Sequence, residues 1–571
     1  MSIVGALILP LLLGMSGLAL EYGSALLTKV ETQRVADLAA VAGASAYGRN
    51  QSLSDATRAA ESVAVLNGVA RTRLVVTLEP LPAAPGDKAA RATITTQQTL
   101  LLARVLNAQQ YLDVTVAALA GTMAGKPACI QALDRAGSGV TLSGGTSVST
   151  VDCIVASSAR VTAPCGTMIT TPTVNYDSAS APAQCSNNLR APDGGAANLV
   201  KGPTPDPLAG TESVALAAAR IASAAALSAP IVPVGGDMSF GWDQVATKAQ
   251  ATAVGCSASF SGSTWAFTCP GKTTVNLGSI TLGGGLTLGF GYGGAATTVY
   301  NVSGRIENGG SAMRFAPGVY NIAKGIIVPG GTRTEFGGGS FRVGPAAGGN
   351  AVTVSGGATL ILGDPLAAGG TFEIAGNVVT EGGSCLTFGA APNHGIMGFI
   401  RGAGGIVFGA GVYEIDGYLH LGAASGGSVF CNGATVSFRA SDATIILSGR
   451  GVPASGDCAG QAFCATAGYS DIRLQAPGSG PFAKLALIGP TNPAVRSGAS
   501  FQSGASGGRI SGTFYFPNGL LNLSGGASVS GGTGTCLQLI GASVNLAGGA
   551  TAATMCIGPG AVAAGGVRLL E

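Results

Sequence analysis

The chain opens on eighteen uncharged, mostly apolar positions, Ile3 to Leu20, and then passes without a polar break into a helical stretch rich in small residues, Glu21 to Tyr47. A run of that length is at the lower limit for crossing a hydrocarbon core about 30 Å thick, and residues of Tyr22 to Leu27 can extend it. No second segment of comparable quality follows, so the pattern predicts one N-terminal anchor with the rest of the chain on a single side of a membrane. A cleaved secretory signal is the alternative. It calls for a basic leader and a shorter apolar core, whereas Met1 and Ser2 alone precede this run. The charge rule gives no orientation, because Lys29 and Arg34 follow the run beside Glu21, Glu31 and Asp37.

After the anchor (1–28), the spacing predicts a helix from Ser54 to Asn67, with Ser54 as N-cap and Gly68 as its stop. Strands follow at Arg73–Leu81 and Arg91–Gln98, then a further helix and strand up to Gly121, so 29–125 reads as a small membrane-proximal α+β module. Residues 126–271 read as a Cys- and Pro-rich connecting region holding one packed, soluble helix, Glu212–Pro230. From 272 to 571 the pattern becomes short alternating strands separated by Gly-rich turns. GVYNI at Gly318–Ile322 recurs as GVYEI at Gly411–Ile415, and SFR follows each, at 340–342 and 437–439. Coils that bury their apolar faces by stacking on neighbours explain such repetition. The expected class is mainly β: a Gly-rich, right-handed parallel β-helix or solenoid, behind a transmembrane helix and the α+β module. A β-sandwich is the rival, kept open by the hairpin dipeptides Asn308-Gly309, Asn432-Gly433 and Asn518-Gly519.

Composition narrows the class. With 93 Gly, a mean hydropathy of +0.43 and a net charge of only +3, the chain is folded and not disordered. The near-neutral balance argues against nucleic acid, which calls for clustered Lys and Arg on one face. All twelve cysteines lie beyond residue 128: Cys129, Cys153, Cys165, Cys185, Cys256, Cys269, Cys385, Cys431, Cys458, Cys464, Cys536 and Cys556. An even number confined to the part beyond the anchor fits disulfides in an oxidising compartment. Sequence does not fix their connectivity; neighbours are natural pairs, Cys129 with Cys153, Cys165 with Cys185, Cys256 with Cys269, Cys458 with Cys464, and Cys536 with Cys556. No C-x-x-C occurs, and His394 and His420 have no cysteine cluster beside them, so no metal and no cofactor is expected.

Catalytic patterns are weak. Glu414 and Asp416 sit two positions apart near His420, and a solvated edge at a corner is the plainer reading of them. Asn393-His394-Gly395 lacks the paired aspartates of a glycosidase, and no nucleophile elbow, Walker or dinucleotide motif is present. The expectation is a non-enzyme; a polysaccharide lyase or hydrolase is the least favoured class.

The segment ALILPLLLGMSGLALEYGSALLTKVETQRVADLAAVAGA, Ala6 to Ala44, resembles the N-terminal segment of the TadG-like (TadE/G-like) proteins of the Flp pilus, or tight-adherence, apparatus. The shared features are Pro10 inside an apolar helix, Gly17 to Ala19, the acidic Glu21, and a helix rich in Ala, Asp and Gln from Gln33 to Ala44. Cys129–Cys153 and Gly512–Ala550 are similar to the repetitive outer regions of such proteins. The von Willebrand-type domain of the family is missing: its Asp-x-Ser-x-Ser motif does not occur, and Asp177, Ser178 and Ser180 have the wrong spacing. Glu21-Tyr22 also admits a pilin reading, with cleavage after Gly17. In pilins the apolar run follows that pair, whereas here it precedes it, so the pair reads as a snorkelling carboxylate and an interfacial Tyr. The resemblance implies a non-catalytic bacterial inner-membrane protein, single-pass, with its bulk periplasmic or surface-exposed. Its implied role is in assembly or anchoring of Flp pili, and so in adhesion and biofilm formation. The expected partners are the membrane, pilus-assembly proteins or pilin, and peptidoglycan or surface glycan. A surface adhesin that binds glycan or protein directly is the chief alternative.

Overall fold

The computed structural model describes residues 2–50, 52–81, 84–100, 110–122, 127–185, 188–202, 204–292, 296–364, 369–422, 429–431, 434–466, 469, 471–502, 509–524, 536–548, 556 and 567–569. The chain is mainly β, with strand at 45% of residues. It divides into two compact units, one of residues 1–127 with 558–571 and the other of 128–557.

In the first unit a long helix, Ser2–Asn50, and a second, Leu53–Leu66, pack on an antiparallel sheet. The sheet runs Leu74–Leu81, Ala84–Thr99, Tyr111–Thr122, and finally Val567–Leu569 from the far end of the sequence. Small side chains set the spacing. Ala36, Ala39, Ala40 and Ala44 on the long helix bury against Ala90, Ala92, Ile94, Val116 and Ala118 of the sheet. At Gly43 an added Cβ would meet Ala56 O at 3.3 Å and Ala90 Cβ at 3.5 Å, so three elements converge there. The second helix is capped by Ser52, whose hydroxyl accepts from the Asp55 N–H at 3.4 Å, and not by the expected Ser54. Ser54 instead shares a 2.9 Å hydrogen bond with the Ser52 hydroxyl. Most of the helix expected between Gln98 and Gly121 falls on 101–109, outside the described residues.

The second unit is built on one large sheet whose neighbours, along most of its length, are parallel and three strands apart in sequence. Val299–Val302 pairs with Gly318–Ile322, Ile306–Asn308 with Ile326–Val328, and Ala312–Phe315 with Arg333–Phe336. Three ladders therefore run side by side, each turn of chain adding one strand to each. In the first ladder the inward positions stack ring on ring: Tyr300 on Tyr320 at 5.1 Å, Tyr320 on Phe341 at 5.7 Å, Phe341 on Phe372 at 5.0 Å. Burying each ring beside its like gives a continuous aromatic column. Tight corners need glycine: at Gly411, φ is 138° and a Cβ would overlap the carbonyl oxygen of Ala391 in the preceding turn.

The parallel ladders are not the antiparallel pairing of a hairpin-linked β-sandwich. Asn308 ends a strand with its amide buried, donating to Arg333 O at 2.9 Å and Thr334 Oγ1 at 3.0 Å, so it locks a corner between turns. Asn518-Gly519 lies inside the strand Arg509–Leu523. Asn432-Gly433 lies outside the described residues, between the antiparallel strands Val429–Cys431 and Ala434–Val436. The sequence repeat is structural in its first half. Tyr320 and Tyr413 share one ladder, and each donates its hydroxyl proton to a carbonyl four residues back, Ala316 and Gly409. It is not so in its second half, because Phe341 pairs beside Tyr320 whereas Phe438 pairs beside Ile406 in another ladder.

The order of turns does not follow the sequence. The first ladder climbs from Thr274–Leu282 to Leu537–Ala547, and there Leu539 pairs with Ile130. Ile130 pairs with Val155, Val155 with Val174, and Val174 with Leu199. Residues 128–201 are thus stacked onto Leu537–Ala547, the last strand of this unit in the sequence, and the chain must return to the far end to begin the strand Gly236–Phe240. It does so as a strap along the outside of the turns. Asp206 accepts from the Tyr515 hydroxyl at 2.8 Å, the Ser213 hydroxyl donates to Pro481 O at 2.6 Å, and the helix Glu212–Ala225 carries Arg220 to Glu414 at 2.6 Å. Leu208, Ala217, Phe482, Ile488, Tyr515 and Ile540 form an apolar seam beneath it. At the Gly236 end the helix Gln244–Ala253 is N-capped by Asp243, and the hairpin Ser257–Ser261/Thr264–Thr268 follows it.

Candidate functional site at the N-terminal helix

The long helix divides by environment. Its second half is held to the sheet: the Thr28 hydroxyl donates to Gln98 Oε1 at 2.7 Å, and Gln33 Nε2 donates both to Asp37 Oδ1 at 2.8 Å and to Ala117 O at 3.1 Å. Gln33 and Asp37, polar residues in an Ala-rich run, thus brace the helix against the strand Tyr111–Thr122. The first half leaves Met15, Leu18, Leu20, Leu26 and Leu27 exposed. Of the anchor residues singled out above, Pro10 lies within the helix with its side chain outside the described residues, Gly17 and Glu21 are half-buried, and Tyr22 is 69% exposed. Among the described residues no helix is long and apolar enough to cross a membrane; the part of the apolar run from Ile3 to Leu13 has its side chains outside them.

The carboxylate pair is not a solvated edge. Glu414 and Asp416 are buried at 5% and 4% exposure, and each has its own arginine: Arg220 for Glu414 at 2.6 Å, and Arg450 for Asp416 at 2.7 Å. Burial pushes the Glu414 carboxyl above its ordinary range, partly opposed by the hydrogen bond and charge of Arg220. Arg220 also donates to the Asn393 side-chain oxygen, so the strap helix clamps two neighbouring turns. His420 stands in a different ladder, in the strand Leu419–Leu421, with Nε2 on Gln461 O at 2.7 Å, and burial lowers its pKa. A general acid or base needs a titrating group open to a substrate, and both carboxylates here are engaged by guanidinium groups.

His394 occupies a rung of the aromatic column, stacked on Phe372 at 4.6 Å and on Tyr413 at 4.0 Å. Its Nε2–H donates to Gly389 O at 2.9 Å, and burial lowers its pKa to about 4. A depressed imidazole contributes stability above its unfolded value of 6.5 that is lost as pH falls through the folded value. The expected loss between pH 6.5 and pH 4 is about 3 kcal/mol. His394→Phe, which copies the rungs at Phe341 and Phe372, should flatten that acid limb when unfolding is followed against pH. An unchanged acid limb would place the titrating group elsewhere.

All twelve cysteines stand in six pairs at disulfide distance. Five join sequence neighbours: Cys129–Cys153, Cys165–Cys185, Cys256–Cys269, Cys458–Cys464 and Cys536–Cys556. The sixth, Cys385–Cys431, ties a strand of the third ladder to the small hairpin and closes the longest loop, 46 residues. Among the described residues no group of three His, Cys, Asp or Glu side chains is placed to hold a metal ion.

Comparison with curated proteins finds no match, and comparison with solved structures finds none either. The family comparison does find one, on the helix just described. Residues 1–46, the segment that runs from the exposed apolar half into the half seated on the sheet, match the Tad family model, "Putative Flp pilus-assembly TadE/G-like".

Proposed function

We propose that this protein is an envelope scaffold of Flp pilus assembly, anchored once in the bacterial inner membrane by residues 1–28, with a right-handed parallel β-helix as its outer part. One observation carries the reading: the family match falls on a single helix whose far half is built into a folded module, while its near half exposes Met15, Leu18, Leu20 and Leu27 and continues an apolar run. An apolar helix rooted in a domain suits a bilayer, where its side chains replace water contacts with lipid. The parallel ladders, three strands per turn, support the β-helix, and six cysteine pairs suit an oxidising compartment. Glu414 and Asp416 each close on an arginine, which supports a structural and not a catalytic role. Pilin and the membrane components of the assembly machine are the partners this assigns.

Deleting the gene and counting surface pili tests it, together with fractionation of the intact chain. The expected result is fewer pili, with the protein in the inner-membrane fraction and its thiols blocked. Normal pilus number with lost attachment would favour the adhesin, and a soluble cytosolic chain with free thiols would end both readings.

A further inference from the structure

The sheet of the first unit has two edges that differ in how they are guarded. The Leu74–Leu81 edge carries Pro80, and its Glu79 pairs with Arg91 at 2.7 Å. Proline and charge are the usual means by which an edge strand is kept from pairing with another chain. Tyr111–Thr122 has no proline and a single charge, Asp113, and is mostly apolar. Such an edge is built to be covered. What covers it is a strand from the far end of the sequence: Leu569 pairs with Ala120, Arg568 with Gly121 and Val567 with Thr122. Among the described residues, no strand pairs with Tyr111–Leu119 on that side.

We propose that Val567–Leu569 is an exchangeable strand, which in an assembly of copies adds to the Tyr111–Thr122 edge of a second copy of this chain. Two observations and one physical argument carry this. Among the described residues the covering strand holds by three residue pairs, a short contact for a strand that closes a mostly apolar edge. It is joined to Cys556 by ten residues, 557–566, which reach at most about 35 Å when extended. The contact it makes is the same whether the tail is its own or a neighbour's. Exchange of an identical element costs no contacts, so local concentration decides between the closed and the exchanged form. The stretch Tyr111–Leu119, which no described strand pairs on that side, continues the same edge; its Ala117 carbonyl is engaged by Gln33 of the long helix, so an incoming strand has room to pair first along Tyr111–Val116. This inference does not depend on a pilus role; its test rests only on the membrane anchoring proposed above, which flotation of the vesicles reads separately from the cross-links.

The test uses the full chain with a photoreactive p-benzoylphenylalanine in place of Arg568, mixed in equal amounts with unsubstituted chain labelled with nitrogen-15. Both are reconstituted together in phosphatidylethanolamine/phosphatidylglycerol vesicles, irradiated and digested. Mass spectrometry then reads whether peptides of 111–122 cross-linked to the tail carry the label. The expected result is roughly half labelled at high surface density, the statistical limit for free exchange, falling as the chains are diluted in lipid. Cross-links to 111–122 that stay unlabelled at every density, or cross-links that miss 111–122, overturn the proposal. A probe at Leu569 repeats the reading from the next position in the strand, which guards against a substitution that unseats it.

Discussion

Arg220→Ala is expected to destabilise the 128–557 unit by about 3 to 5 kcal/mol at neutral pH, because it leaves the Glu414 carboxylate buried without its counter-charge. Glu414 has 7% of its side chain exposed, against 27% for Arg220, so water replaces little of what is lost. The pH dependence identifies the cause. Burial raises the Glu414 pKa, which means the folded state holds that proton more tightly than the unfolded chain does. Its contribution is therefore complete below the ordinary value of 4.5 and lost as pH rises through the folded value. Removing Arg220 takes away the two effects that oppose the rise, so the deficit of the variant should be larger at pH 8 than at pH 4. Hydrogen exchange of the peptide holding Gly411–Ile415, followed in urea at both pH values, measures it locally. An equal deficit at the two pH values would mean that Arg220 acts through packing on the Phe482 ring, 6.0 Å away, and not through charge.

Replacing Cys385 and Cys431 together by alanine should cost about 4 kcal/mol, the loop-closure entropy returned to the unfolded chain when a 46-residue loop is opened. The same change at Cys458 and Cys464, whose separation is 6, should cost about 2 kcal/mol. The pair makes a graded test under oxidising conditions, read as the shift in urea midpoint at a constant slope. Equal losses at the two sites would show that local packing, not loop length, sets the effect; Cys385 and Cys431 are both buried, with Val407 against them.

How far the sequence carried these conclusions depended on range. Alternating strands and glycine corners are local signals, and Gly318–Ile322 and Gly411–Ile415 are strands as the repeat implied. The helix at Glu212–Ala225 was legible from its alanines and lies inside the predicted Glu212–Pro230. Its purpose was not, because Arg220 meets Glu414 across 194 positions and nothing near either residue announces the other. For the same reason Glu414 and Asp416 read as a wet corner when they are in fact buried. Neighbouring cysteines suggested five pairs, while Cys385 and Cys431 had no local cue. The N-terminal segment was the clearest of all: the resemblance read on Pro10, Gly17, Glu21 and the Gln33–Ala44 run falls within residues 1–46, which match the family model. The N-cap lies two residues before the expected Ser54, since Ser52 and Ser54 both offer a hydroxyl and Ser52 is the one that accepts from the Asp55 N–H.

Stacking residues 128–201 onto the strand Leu537–Ala547 has a consequence for biogenesis. Ala128–Ala132 leaves the ribosome long before its template at Leu539–Gly541 exists, and until then it is paired on one side only, by Ile154–Ser157. Pairing between parts so distant in sequence is slow to form and leaves unpaired edges open to proteolysis in the meantime. A product that ends between Ser157 and Leu537 would leave that side of Ala128–Ala132 without its strand partner for good.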